Sequence, residues 1–374
     1  MNRYSLARLV ALMRKEWIQV FRDAATLRFI IAIPLVQLFL FGYAINSDPK
    51  HLPAGLLSVE DSKYVRTIAA ALTNSGYYDL RVLRSESEAD VGLARGDLTF
   101  VVETPPGFDR AVDRGESPSV LIDADATDPT AIGNAVAALN RTAADLNRDL
   151  PPIRQIHPQT PPFQFVVHAR YNPEQLTALN IVPGLICVVL IISTLFVTTL
   201  AITRERERGT MENLLAMPVR PIEVLIAKIA PYVFIGYIQV GLILVASATF
   251  FAVPIRGSLP LLLAALGLFI ASNLALGVTF STLAANQMQA VQLAQFTLMP
   301  SFMLSGFMFP FRGMPGWAQA IGSIFPTTHS MRIVRGMLLK GNGWSEIAPE
   351  MWPIAIFTVA TIAFAAWAYR ETLD

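Results

Sequence analysis

The apolar and polar positions along the chain fall into two regimes. Long apolar runs occupy about 29–45, 177–203, 222–253, 259–284, 288–309 and 349–369. Each reaches the length, roughly 17–25 residues, that a helix needs to cross a hydrocarbon core. Residues 47–172 are different: polar, with short stretches at 53–59, 77–83, 98–102 and 119–122 that predict strands. Helical patterns at 63–73, 86–95, 106–113 and 129–149 lie between them. Ser85 with Glu88 makes a capping box, and Asp128 before Pro129 marks a helix start. Alternating strands and helices over this length predict one small α/β domain. The proline-rich stretch 151–162 reads as a semi-rigid linker back to the bilayer. Asn172-Pro173-Glu174-Gln175 then supplies an N-cap, a first-turn proline and a third-position glutamine, so a helix is expected to begin there.

Residues 1–22 carry Leu6, Leu9, Val10, Met13, Trp17, Val20 and Phe21 on one helical stripe, with Arg8, Lys15 and Arg22 on another face. A basic amphipathic helix of this kind lies in the membrane interface, its cations at the lipid headgroups. The run at 29–45 lies too far from the N-terminus for a signal peptide and lacks a small-residue cleavage site, so it reads as an uncleaved anchor, with Pro34 as a kink. The expected fold is thus a polytopic α-helical membrane protein: six transmembrane helices with an α/β domain inserted after the first span.

Composition agrees: of 374 residues, 53% are hydrophobic and only 15% charged, where soluble domains carry about a quarter. Charge then sets orientation. With six spans, one side receives Arg3, Arg8, Arg14, Lys15, Arg22, Arg28, Arg204, Arg206, Arg208, Arg220 and Arg370, and the other only Arg256, Arg312, Arg332, Arg335 and Lys340 outside the α/β domain. Both termini are therefore expected in the cytoplasm and the α/β domain outside it. The net charge of +1 and the lack of a basic aromatic patch give no reason to expect nucleic acid. The lone Cys187 excludes an intrachain disulfide, and His51, His157, His168 and His329 show no ligand spacing. The acidic Asp123, Asp125 and Asp128 lack the glycine and terminal glutamate of a calcium loop and read as a strand-end turn.

The expected cytoplasmic pieces are too small for a catalytic or output domain, and no G-x-x-x-x-G-K-[ST] phosphate loop occurs. Acidic and histidine residues are nearly absent from the spans, which argues against an ion-coupled carrier. Lys228, near the cytoplasmic end of the third span, is explained by snorkelling. The loop 204–220 invites attention. Arg204-Glu205-Arg206-Glu207-Arg208 extends the second span, Gly209 breaks it, and Thr210 can cap a short helix with Met211, Leu214 and Leu215 on one side and Pro218 at its end. Such a helix suits insertion into a groove on a partner, or forms an interfacial turn with no partner. In the fifth span Gln292, Gln295, Met299 and Met303, with Asn180 in the second, mark either a substrate path or ordinary helix–helix packing.

Several of these segments, in this order, resemble the type-2 ATP-binding-cassette (ABC) exporter permeases with a large extracytoplasmic loop. The carriers are Arg204 through Met211-Glu212-Asn213-Leu214 to Pro218 and Lys228; Arg14-Lys15-Glu16-Trp17 to Arg22-Asp23, Pro34 and Gly42; Leu304-Ser305-Gly306 to Pro310; Met314-Pro315-Gly316-Trp317; and Phe325-Pro326-Thr327-Thr328-His329 to Gly336. The resemblance covers essentially the whole chain. It implies a connecting helix at 1–22, a coupling helix at 210–218 and re-entrant helices within about 312–340. It further implies that Glu205, Glu207, Gly209, Thr210 and Glu212 occupy the family-type positions of the coupling region.

On that basis the expected divisions are 1–46 (amphipathic helix and first span), 47–172 (periplasmic α/β domain) and 173–374. The last holds spans two to six, coupling loop 204–220 and a re-entrant or extracytoplasmic segment 312–348. The expected function is the permease subunit of an exporter in a bacterial inner membrane, moving a hydrophobic or drug-like substrate. It would bind no cofactor itself; ATP and Mg would belong to a separate ATPase subunit. Further expected partners are a second permease subunit, identical or paralogous, membrane lipid and a periplasmic adaptor. Alternatives are export of lipid-linked or cell-surface material and, from another class, a membrane receptor sensing through its α/β domain.

Overall fold

The computed structural model describes residues 50–127, 129–149, 163–174, 176–207 and 221–371. The expected amphipathic helix and first span, the proline-rich linker and most of the coupling loop lie outside them.

A five-stranded sheet is built from β1 (Leu52–Ser58), β2 (Tyr78–Val82), β3 (Phe100–Thr104), β4 (Ser119–Asp125) and β5 (Gln164–Arg170), with runs of consecutive buried residues in the central strands. The spatial order is β2-β1-β3-β4-β5, parallel except for the antiparallel β3–β4 pair. The connecting helices are α1 (Lys63–Asn74), α2 (Glu86–Arg95), α3 (Phe108–Asp113) and α4 (Pro129–Asp149). Period two sends Phe100 and Val102 into the larger core, with Leu52, Ile68, Leu72, Ile122 and Leu139. Val101 points the other way, into a smaller core beneath α2 with Ala89, Leu93 and Leu98. Ser85 caps α2 by accepting from Glu88 N at 3.2 Å, while the Glu88 carboxylate reaches back to Arg84 N at 2.9 Å, one residue beyond a standard capping box. Gly96 ends the helix in the left-handed region at φ +78°, which a glycine adopts without strain.

The second half is helical: α5 (Thr177–Glu207), α6 (Pro221–Phe250), α7 (Leu259–Leu283), α8 (Gln287–Leu304), α9 (Gly316–Gly322), α10 (Pro326–Arg335) and α11 (Trp344–Glu371). Before α5, the Asn172 side chain accepts from Leu176 N at 2.9 Å, so this asparagine orders the turn and the helix starts five residues later. Among the described residues four helical segments are long and apolar enough to cross a membrane: Ala178–Arg204, Tyr232–Phe250, Leu259–Leu283 and Trp344–Ala365. Among them α7 is central, with 67% of its apolar window buried. It packs against α5, α6, α10 and α11 through Phe269, Ile270 and Leu274. Helix α6 turns Phe234, Ile238, Leu242 and Val245 outward.

Helix α8 departs from the expected run at 288–309. It has 18 residues, four of them glutamines, and is not among the four apolar segments. Ser305 and Gly306, at φ +85°, then turn the chain away. A 3₁₀ turn (Phe311–Gly313), α9, α10 and a π turn (Gly336–Lys340) fill the interval before α11. Met303, Leu304, Met314 and Ala318 pack together and close this cap over the end of α8.

Candidate functional site

Three places bring chemistry together, and the first lies at the foot of α8. Asn286 caps that helix by accepting from Gln289 N at 2.9 Å, and the Gln289 side chain accepts from Ala285 N at 3.0 Å. This reciprocal cap leaves the first helical N–H of Gln287 to a distant partner, the carboxylate of Glu207, at 2.6 Å. The Gln287 amide also donates to Glu207. These two Gln287 hydrogen bonds, side chain first and backbone second, hold the Glu207 carboxyl below its ordinary value, with Arg204 a smaller aid. The end of α5 is thereby pinned to the start of α8 across the helix pair. Of the candidate coupling residues, Glu207 alone has a described side chain. The backbone of Glu205 lies in α5, while Gly209, Thr210, Met211, Glu212, Leu214, Leu215 and Pro218 fall outside the described residues.

The second place is the length of α8. Gln292, Gln295, Met299 and Met303, spaced three, four and four apart, share one helical face. Gln292 Oε1 and Asn180 Oδ1 are both buried with no hydrogen-bond partner, and α8 packs on α5, which carries Asn180. An unsatisfied buried amide oxygen is costly and calls for a reason. Met303 instead fills the cap beneath Met314 and is buried. Where the chain leaves α8, Phe307 presses on Gly184 of α5 so closely that a Cβ there would meet its ring. Asn273 donates to Phe269 O of its own helix at 2.9 Å and serves α7 internally. Sequence reading missed Gln239, whose side chain accepts from Ser193 at 2.7 Å and ties α6 to α5. Its lone amide in an apolar run was the available signal.

The third place joins the sheet unit to the cap, and sequence reading missed it. The last turn of α2 leaves carbonyls without helical partners. Lys340 Nζ donates to Leu93 O at 2.8 Å, Asn342 Nδ2 to Ala94 O at 3.0 Å, and Arg312 Nη2 to Gly96 O at 3.0 Å. Cations at a helix C-terminus also complement the helix dipole. Lys340 is further held by Asp125 at 2.5 Å, both side chains nearly buried, and lies 5.2 Å from the Tyr171 ring. Burial, and Asp125 second, push the Tyr171 hydroxyl pKa up. Behind this contact Glu350 holds both His329 at 2.5 Å and Arg332 at 3.0 Å, and Arg332 stacks over Phe311 at 4.5 Å. A cavity of about 250 Å³ opens between the two units at this level. The neighbouring Asp123 pairs with Arg170 at 2.8 Å and shares a hydrogen bond with His168 at 2.9 Å, so the acidic strand end is taken up by protein partners. Among the described residues no group of three or more His, Cys, Asp or Glu side chains is placed to hold a metal.

A bundle of apolar spans with unsatisfied amides inside and a braced polar cap defines a multi-pass membrane protein. The sequence profile described as ABC-2 family transporter protein matches residues 24–367, and the chain belongs to that family. The probable multidrug ABC transporter permease YbhS of Escherichia coli is 30% identical over 350 residues, 90% of either chain. The inner membrane transport permease YhhJ of Escherichia coli is 28% identical, over 94% of this chain and 95% of its own. The probable multidrug ABC transporter permease YbhR is 25% identical, over 96% and 97%. The protein is thus an ABC permease subunit of the inner membrane, and membership of the family implies partnership with an ABC ATPase subunit.

Proposed function

We propose that the chain exports a hydrophobic or drug-like substrate out across the inner membrane, driven by ATP that a separate ATPase binds with Mg and hydrolyses. The observation that carries this reading is α8: a helix with amides and methionines on one face, packed on α5 inside an otherwise apolar bundle, with the Gln292 oxygen buried and without a partner. Amide oxygens with no protein partner are ready to meet cargo, water or a second permease subunit, and methionine faces adapt to varied apolar shapes. The names of YbhS and YbhR, both probable multidrug permeases, point the same way.

In this proposal six spans are completed by the expected first span and by α8, with the termini cytoplasmic and the sheet unit, 47–172, periplasmic. The coupling helix would lie at 210–218, and Glu207 would pass its movement to α8 through Gln287. The outward apolar stripe of α6 would face lipid or the second permease. An adaptor would dock on the sheet unit. ATP biases the cycle only if the coupling helix contacts the ATPase differently in its nucleotide-bound and free states.

Inverted membrane vesicles holding the permease with its ATPase test the path. ATP-dependent uptake of a hydrophobic fluorescent dye should fall severalfold in Gln292→Leu/Gln295→Leu at equal protein level. Unchanged uptake would remove α8 from the route.

A further inference from the structure

The cavity between the sheet unit and the cap has features that neither membrane insertion nor ATPase coupling explains. It is lined by Arg312, Arg332 and Lys340 together with Asp125 and Glu350. Lys340 is matched by Asp125, while Glu350 is shared between Arg332 and His329. Arg312 donates to the Gly96 carbonyl, which offers a dipole and not a charge, and no carboxylate lies within ion-pair distance of it among the described residues. Arg95 and Asp97 lie exposed at its rim. Partial burial, and next the neighbouring Arg332, lower the Arg312 pKa, as expected for a cation crowded by another cation.

The level of the cavity matters as much as its charge. Ser305 and Gly306, where α8 ends, line it, as does Glu350 in α11. Exposed Trp317 and Trp344 flank the same segment, and exposed tryptophans mark the headgroup zone of a bilayer. The volume, about 250 Å³, is below the roughly 300–1,000 Å³ of drug-sized pockets. It suits a headgroup better than a whole hydrophobic cargo. Guanidinium groups match phosphate oxygens in geometry as well as charge.

We propose that this cavity binds a phosphate group, presented by the headgroup of a phospholipid in the adjoining leaflet. Arg312 and Arg332 would take the phosphate oxygens at the mouth, and the acyl chains would lie against the bundle. The inference rests on membrane placement and not on the cargo or ATPase reading.

The test uses the full chain in detergent, read by native mass spectrometry and thermal unfolding. Probes are dioleoylphosphatidylglycerol, dioleoylglycerol, which lacks the phosphate, and inorganic phosphate. Phosphatidylglycerol should stay bound and raise Tm, and dioleoylglycerol should not. Arg312→Gln should weaken phosphatidylglycerol about tenfold or more, in line with loss of a charge-assisted hydrogen bond, and Arg312→Lys should recover most of it. Arg95→Glu, at the exposed rim, should weaken it severalfold with the Gly96 contact intact, which separates charge from folding. Inorganic phosphate that displaces the lipid and depends on Arg312 supports the site and identifies a soluble source. Equal binding by wild type, Arg312→Gln and Arg95→Glu, or equal binding of dioleoylglycerol, overturns the proposal.

Discussion

Lys340 Nζ sits 2.5 Å from Asp125 Oδ2, with only 6% and 11% of the two side chains exposed, and it also holds the Leu93 carbonyl. One ammonium thus joins the end of β4, the last turn of α2 and the π turn before the final span. The sheet unit is braced against the bundle at a charged and enclosed point.

Removing one partner of such a pair strands the other. Lys340→Met is expected to cost about 3–5 kcal/mol, because Asp125 would remain buried without its cation. The double change Lys340→Met/Asp125→Leu should lie closer to wild type than the single. Thermal unfolding in detergent, read as a double-mutant cycle, checks this; additive losses would show that the pair does not brace the junction.

The Glu207–Gln287 link predicts a pH dependence. Its carboxyl is held low in the folded chain, chiefly by the Gln287 side-chain hydrogen bond and then by the backbone one. The contribution is therefore present above the ordinary carboxylate pKa of about 4.3 and lost as pH falls through the lower folded value. Glu207→Gln should remove that acid limb and show, even at neutral pH, the weaker protection that the wild type has at low pH. Hydrogen exchange at the α8 N-terminus between pH 3 and 7 reads it, and identical profiles in both proteins would contradict the link.

Gly184 allows Phe307 to lie on α5, and added bulk there has no room. Gly184→Val should destabilise by about 1–3 kcal/mol through overpacking. Adding Phe307→Ala should recover part of the loss. A Tm unchanged in Gly184→Val would mean the two helices do not meet as described.

Much of the architecture was legible for local reasons. Helix α2 matched the expected 86–95 because Ser85 and Gly96 write its two ends into adjacent residues. The spans at α5, α6 and α7 were legible because long apolar runs have few other solutions. Strand β5 was missed: its alternation follows the proline-rich 151–162, which drew attention to a linker. Helix α8 was expected to continue to 309, but Ser305 and the left-handed Gly306 end it, a tertiary choice made where the cap folds back. The junction was illegible for a plainer reason. Lys340 meets Asp125 across 215 positions and Leu93 across 247, and Asn342 meets Ala94 across 248. No local pattern pairs residues so far apart; the scattered cations of 312–340 were visible, their partners were not.

The central claim is that this permease is worked by a separate ATPase through the loop after α5. Its most direct test is ATP hydrolysis by the purified complex in lipid, with wild type beside Glu212→Arg/Leu215→Asp. The account predicts that an ATPase co-purifies with wild type and that hydrophobic cargo stimulates its turnover severalfold. The double variant should fold and insert yet lose that stimulation. An ATPase that fails to associate with wild type under any condition, or a double variant stimulated as fully as wild type, would contradict it.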